Sequence, residues 1–243
     1  MYINNALVLK EATTLNQRAC NHLLAQDVFV RDNLGKDDTL VVSIGGNDIA
    51  LLPAPCTVLN IVCLTTCTPF SFIQRTSGRP LECDDCCCGC GASCASTLGT
   101  CPAPCLGYFF HMFGVRVKKY CENLIGKTKP KNVMVAMIYF PEMNPNSPSW
   151  ANCALSMLGY DRNPARLQGL ISKVYEEAIK KIKITGTNVI PLPLYEVLDG
   201  RDPGDYVARV EPSARGGSKI AELVIDKVLE EGCSTVETME MIR

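Results

Sequence analysis

The stretch Val41-Val42-Ser43-Ile44-Gly45-Gly46-Asn47-Asp48 decides how this chain is read. A β-branched run that ends in two glycines and an Asn-Asp pair describes a buried strand delivering polar groups at its carboxyl end. In open α/β sheets that end is where ligands bind. Each residue type has a chemical use there. Glycines let a backbone approach a ligand, the Asn amide donates to a developing oxyanion, and the Asp braces the turn through backbone N–H groups. The plain alternative is an ordinary strand-to-loop turn built from the same residues.

Working outward, apolar runs alternate with helical periods. The first strand is Leu40–Ile44, reached through the polar turn Gly35-Lys36-Asp37-Asp38. A second, Asn132–Phe140, is stopped by Pro141, and a third is Val189–Leu194. Between the last two, Leu167, Leu170, Ile171, Val174, Ala178 and Ile182 trace one face of a crossover helix, with Glu176, Glu177, Lys180 and Lys181 opposite. A last helix begins near Ala214 and carries Ile220, Leu223, Val224 and Val228. At the other end, Thr13 or Thr14 is expected to cap a helix bearing Leu15, Ala19, His22 and Leu23. This alternation predicts an α/β fold with a mainly parallel sheet, as one domain over residues 1–243.

From Ile49 to Phe72 the chain carries no charge, but Pro53, Pro55 and Pro69 leave fewer uninterrupted apolar residues than the roughly 20 of a spanning helix. A helix packed beside the cleft is expected instead, and a membrane partner is not. Tyr108, Phe109, Phe113, Val117, Tyr120 and Leu124 sit at helical spacing and read as core. With 24 basic and 25 acidic residues the formal net charge is −1, which gives no electrostatic reason to expect a nucleic-acid partner. Residues 1–10 lack a basic region followed by a long apolar core, so a cytoplasmic location is expected. Nothing in the sequence sets the oligomeric state.

Of 15 cysteines, Cys83, Cys86, Cys87, Cys88, Cys90, Cys94, Cys101 and Cys105 crowd into an insert at about 81–106. Their spacings allow thiolate pairs to reach one Zn²⁺. The registers overlap, no His lies among them, and the glycines and serines between them describe a surface loop. The expectation is a variable insertion without a cofactor, zinc being the minor alternative and palmitoylation of Cys86-Cys87-Cys88 a smaller one.

Near the C-terminus, Val210-Glu211-Pro212-Ser213-Ala214-Arg215-Gly216-Gly217 leads into the last helix. Together with the Gly-Gly-Asn-Asp block, this segment resembles the SGNH (GDSL-type) hydrolases. In that family a Gly-x-Asn-Asp block follows a central strand, and an Asp-x-x-His-Pro-Ser-x-x-Gly block precedes the last helix. The resemblance spans about residues 10 to 230. It implies a three-layer, SGNH/flavodoxin-like sandwich whose site acts on acyl, acetyl or carbohydrate esters.

By position, the resemblance makes Asn47 the oxyanion donor, Gly45 and Gly46 the shapers of its approach, and Asp48 the residue that orients the loop. The departures are specific. No Gly-Asp-Ser nucleophile block occurs, Glu211 stands where the His belongs, and Ala208 stands where its Asp partner belongs. Neither histidine, His22 or His111, lies near the last block in sequence. Glu211 is read either as a general base or as a structural residue that caps the last helix or pairs with Arg209 or Arg215. Asp205, with Asp199 and Asp202, is a candidate contact for substrate hydroxyls or a metal, or a turn former. An ester hydrolase that is inactive in this chain and a noncatalytic binding module that keeps the cleft are the two functions that follow.

Overall fold

The computed structural model describes residues 13–80, 97–98, 103 and 105–241, with side chains over 13–78, 103 and 105–231. After an irregular turn come α1 (Ala25–Asn33), β1 (Thr39–Ser43) and a short α2 (Gly46–Ala50). The uncharged stretch breaks at its prolines into α3 (Pro55–Val62), which runs on into a π turn at Cys63–Cys67, and α4 (Phe70–Arg75). Pro55 begins α3, where its missing N–H costs nothing. No helix among the described residues is long and apolar enough to cross a membrane.

A two-residue ladder, β2 (Arg79–Pro80) with β3 (Thr97–Leu98), precedes α5 (Leu106–Phe110). The expected core helix is α5 joined to α6 (Val117–Ile125) through a π turn at His111–Arg116. There follow β4 (Asn132–Met137), α7 (Asn152–Met157), α8 (Pro164–Glu177), β5 (Asn188–Pro193), the pair β6 (Tyr206–Val207) and β7 (Glu211–Pro212), and α9 (Ala214–Met241).

The main sheet has the order β1-β4-β5 and both pairings are parallel, in a register that aligns Val42 with Val135 and Val135 with Pro191. All six residues of β4 are buried, because it is the central strand and helices flank the sheet. Val133, Val135 and Met137 join the larger core with Phe110, Phe113 and Leu170. Met134 and Ala136 face a second cluster with Leu192 and the α9 residues Ile220, Leu223, Val224 and Val228. A strand buried on both faces has no polar side, hence the continuous apolar run. Pro191 and Pro193 are tolerated because β5 is an edge strand of this sheet. The chain is thus α/β with a small parallel sheet.

The start differs from expectation. In place of a regular helix after Thr13 or Thr14 there is a 3₁₀ turn at Asn16–Asn21, interrupted at Ala19 (ψ 156°) and Cys20 (φ 55°). Tertiary partners override the local period. Asp48 takes the N–H groups of Leu15 and Asn16, while Arg18 turns to Asp27 with both guanidinium bonds under 3 Å. Asp27 also accepts the Leu24 N–H at 2.9 Å, which starts α1.

Candidate functional site

The turn after β1 is built around a backbone only glycine adopts without strain. Gly45 has φ 101°, and a Cβ there would lie 2.7 Å from the Phe113 ring. Gly46 opens α2 against Ile138, just past the carboxyl end of β4. Asn47 donates from Nδ2 to the Thr13 carbonyl at 3.0 Å. That bond uses one of the two amide hydrogens and fixes the plane of the other.

Asp48 is fully buried. Its oxygens accept Leu15 N–H at 2.7 Å and Asn16 N–H at 3.0 Å, so it ties residues 15–16 to the end of β1. Arg116, also buried, reaches the Asn16 side chain at 2.8 Å. Burial pushes the Asp48 carboxyl above its ordinary value and outweighs the two N–H bonds and the nearby Arg116 charge, which act the other way.

The segment before α9 has a different construction. Ala208 and Arg209 both take left-handed φ, 49° and 63°, uncommon for residues with side chains. The turn drives Arg209 fully inside. Its guanidinium donates to Asp161 Oδ1 at 2.9 Å, Asn152 Oδ1 at 2.8 Å and the Glu142 carbonyl at 3.2 Å. Glu142 N–H returns a bond to the Arg209 carbonyl at 2.8 Å. This cluster clips the segment after β4 to the segment before α9.

Glu211 itself is exposed, on β7. Neither structural partner expected for it is used: Arg209 goes to Asp161, and Arg215 goes to Asp202 and Asp205. The cap of α9 is Ser213, whose Oγ accepts Gly216 N–H at 3.1 Å. Next to Glu211, the Val210 carbonyl accepts the Tyr139 hydroxyl at 2.8 Å. Burial, reinforced by the Glu211 charge, pushes the Tyr139 phenol above its ordinary value.

Asp205 is buried and accepts from Arg215 Nε at 2.8 Å and Lys219 Nζ at 2.6 Å. Asp199 and Asp202 accept the N–H groups of Arg201 and Gly204, two residues on in each case, which is the Asx-turn pattern.

The two blocks touch consecutive residues past the carboxyl end of β4: Gly46 faces Ile138, which packs with the larger core, and the Val210 carbonyl receives Tyr139, which packs with the second cluster. His22 is exposed at the end of the Asn16–Asn21 turn and His111 is buried inside its π turn, so neither supplies an exposed base beside Glu211. A cavity of about 300 Å³ lies elsewhere, between α4 and α8, lined by Phe70, Ile73, Ser172, Lys173 and Glu176 among others.

Among the described residues no group of three His, Cys, Asp or Glu side chains is placed to hold a metal ion. Cys83, Cys86, Cys87, Cys88, Cys90, Cys94 and Cys101, on which the zinc and palmitoylation alternatives rest, lie outside the described residues. Reasoning from sequence missed Asp161 and Glu142, placed Arg209 only as a partner for Glu211, and placed Tyr139 only within the second strand. No motif marks them, and the Arg209 ion pair joins residues 48 positions apart. No family model, curated protein or solved structure matches the chain.

Proposed function

We propose that the chain presents the cleft of an SGNH-type ester hydrolase and binds a small acyl or carbohydrate ester there without turning it over. The observation that carries this reading is the Asn47 side chain. Its Nδ2–H···O bond to Thr13 holds the amide in one orientation at the end of a parallel strand, with a second N–H left for a carbonyl oxygen. Gly45 lets the turn pack directly on the Phe113 ring, Gly46 lets α2 begin against Ile138, and Asp48 fastens the turn from below. The three-layer sandwich of that family is part of the same proposal, as is the single domain.

The noncatalytic half rests on Glu211 and Asp205. Glu211 stands in solvent on β7, and Asp205 is held by two cations of α9. Cys20 and Cys56 are each in a disulfide, which favours an oxidising compartment over the cytoplasm for this protein.

Titration with p-nitrophenyl acetate and with acetylated monosaccharides, followed by NMR, tests both halves. The expected result is saturable shifts at the Gly45–Asp48 amides, abolished by Asn47→Ala, with p-nitrophenol release at the uncatalysed rate. Turnover that disappears in Asn47→Ala would overturn the noncatalytic half, and the absence of any saturable binding would overturn the cleft itself.

A further inference from the structure

Two cysteines outside the candidate site lie unusually close. Cys105, next to the start of α5, donates its thiol to the Cys63 sulfur across 3.1 Å, although 42 positions separate them. Cys63 sits where α3 passes into its π turn. Both side chains are half-buried, so a small oxidant reaches them.

The approach does not depend on the sulfurs alone. Ala103 N–H donates to Thr76 Oγ1 at 3.1 Å, and β2 pairs with β3, so polar and backbone bonds tie residue 103 to the end of α4 two positions before Cys105. On the other side, the Thr68 N–H bond to the Cys63 carbonyl at 3.0 Å closes the π turn and fixes the Cys63 backbone. A movement of about 1 Å takes the sulfurs from this contact to the 2.03–2.05 Å of a disulfide.

Three other described cysteines supply contrast. Cys20 and Cys56 are each already in a disulfide, and Cys56 lies on the helix that leads into Cys63. Cys121 is fully buried and its thiol is pushed up to about 12 by burial, with the Glu122 charge adding, so it stays protonated and unreactive.

We infer that Cys63 and Cys105 are a cross-linking site: they form a disulfide that joins the end of α3 to the start of α5 and closes the chain between them into a covalent loop. A low-molecular-weight disulfide of the glutathione type is the electron acceptor. The thiolate of one cysteine attacks the small disulfide and expels one thiol, leaving a mixed disulfide on the protein. The second cysteine then attacks that protein sulfur and releases the other thiol. Two protein thiols lose two protons and two electrons, and one small disulfide becomes two small thiols. This is a different use of Cys105 from the zinc alternative, which would need it as a thiolate ligand.

The test is peptide mapping of the full chain after incubation with oxidised glutathione, acid quenching and alkylation without reduction. The expected result is a peptide joining Cys63 to Cys105, with Cys121 recovered alkylated only after unfolding. Cys63→Ser and Cys105→Ser should each lower the thermal midpoint by roughly 4–16 °C relative to the unsubstituted chain under oxidising conditions, and by little under reducing ones. Recovery of both residues as alkylated thiols overturns the inference. So does either one joined to another cysteine, or an equal midpoint loss in reducing buffer, which would mean the substitutions act on packing. The mapping uses the unsubstituted protein, so it decides even where a variant does not fold.

Discussion

The turn after β1 and the segment before α9 look alike in sequence, each a short glycine-bearing polar block next to a regular element, but they are held by opposite means. In the first, the motif residues are themselves the structural ones: Gly45 fits against Phe113 and Asp48 is buried under two backbone donors. In the second, the motif residue Glu211 is in solvent, and the buried group is Arg209, two positions earlier, paired with Asp161. A polar letter in a recognisable block therefore says little about burial. What separates the two is where the partners come from: backbone N–H groups are present at every residue, whereas an acid to match Arg209 has to be supplied by a distant segment.

The largest effect is expected at the second region. Arg209→Ala leaves Asp161, Asn152 and the Glu142 carbonyl without their buried donor and should cost about 3–5 kcal/mol in urea unfolding. A double-mutant cycle with Asp161→Ala should show strong coupling, and additivity would remove the clip from the comparison. In the first region Asp48→Ala orphans the buried Leu15 N–H and the half-buried Asn16 N–H, for about 2–3 kcal/mol. Gly45→Ala should cost about 1–3 kcal/mol, from left-handed backbone strain and the Phe113 contact together. The smallest change is expected for Glu211→Gln, within about 0.5 kcal/mol, because the side chain is exposed. A larger loss there would mean that Glu211 has a structural partner after all.

A pH series sharpens the contrast between buried acids. The folded Asp48 carboxyl lies above 3.8, so the folded chain binds its proton more tightly than the unfolded one. Its contribution is complete below 3.8 and is lost as pH rises through the raised value. For Asp27, burial is outweighed by Arg18, the Leu24 N–H and Tyr120, which hold the carboxyl below 3.8. Its contribution is present above 3.8 and is lost as pH falls through the lowered value. The stability of Asp48→Asn relative to the unsubstituted chain should therefore improve with rising pH above 3.8, and that of Asp27→Asn should worsen as pH rises toward 3.8. Equal slopes would show that the two environments do not differ.

The strands were readable because burial on both faces leaves an unbroken apolar run. The error was at the far end of the second, read to Phe140 but ending at Met137. There the Phe140 N–H leaves the ladder for the Leu198 carbonyl, a choice that apolar composition does not record. The crossover helix was readable from its period over 167–182, but α8 ends at Glu177 and a 3₁₀ turn at Ile179–Lys181 takes its place. The first helix was not, since Asp48 and Asp27 capture residues 15, 16 and 18 from outside the local sequence. Of the site residues, the Gly45–Asp48 block was visible in the sequence. Arg209 was not, because its burial depends on residues 48 and 57 positions away.

The π turn at His111–Arg116 bears on all of this. Phe113, within it, lies under Gly45, and Arg116, its last residue, reaches Asn16. Such a turn carries one residue more than α-helical winding needs, and each residue of an α-helix advances the azimuth by about 100°. Deleting one position of that turn other than Phe113 or Arg116 would restore ordinary winding and leave the helices on either side in phase, so that Arg116 keeps its direction toward Asn16. Length variants of this chain that keep the Gly-Gly-Asn-Asp turn intact should place a single-residue gap inside that one helical coil, at a position other than 113 or 116.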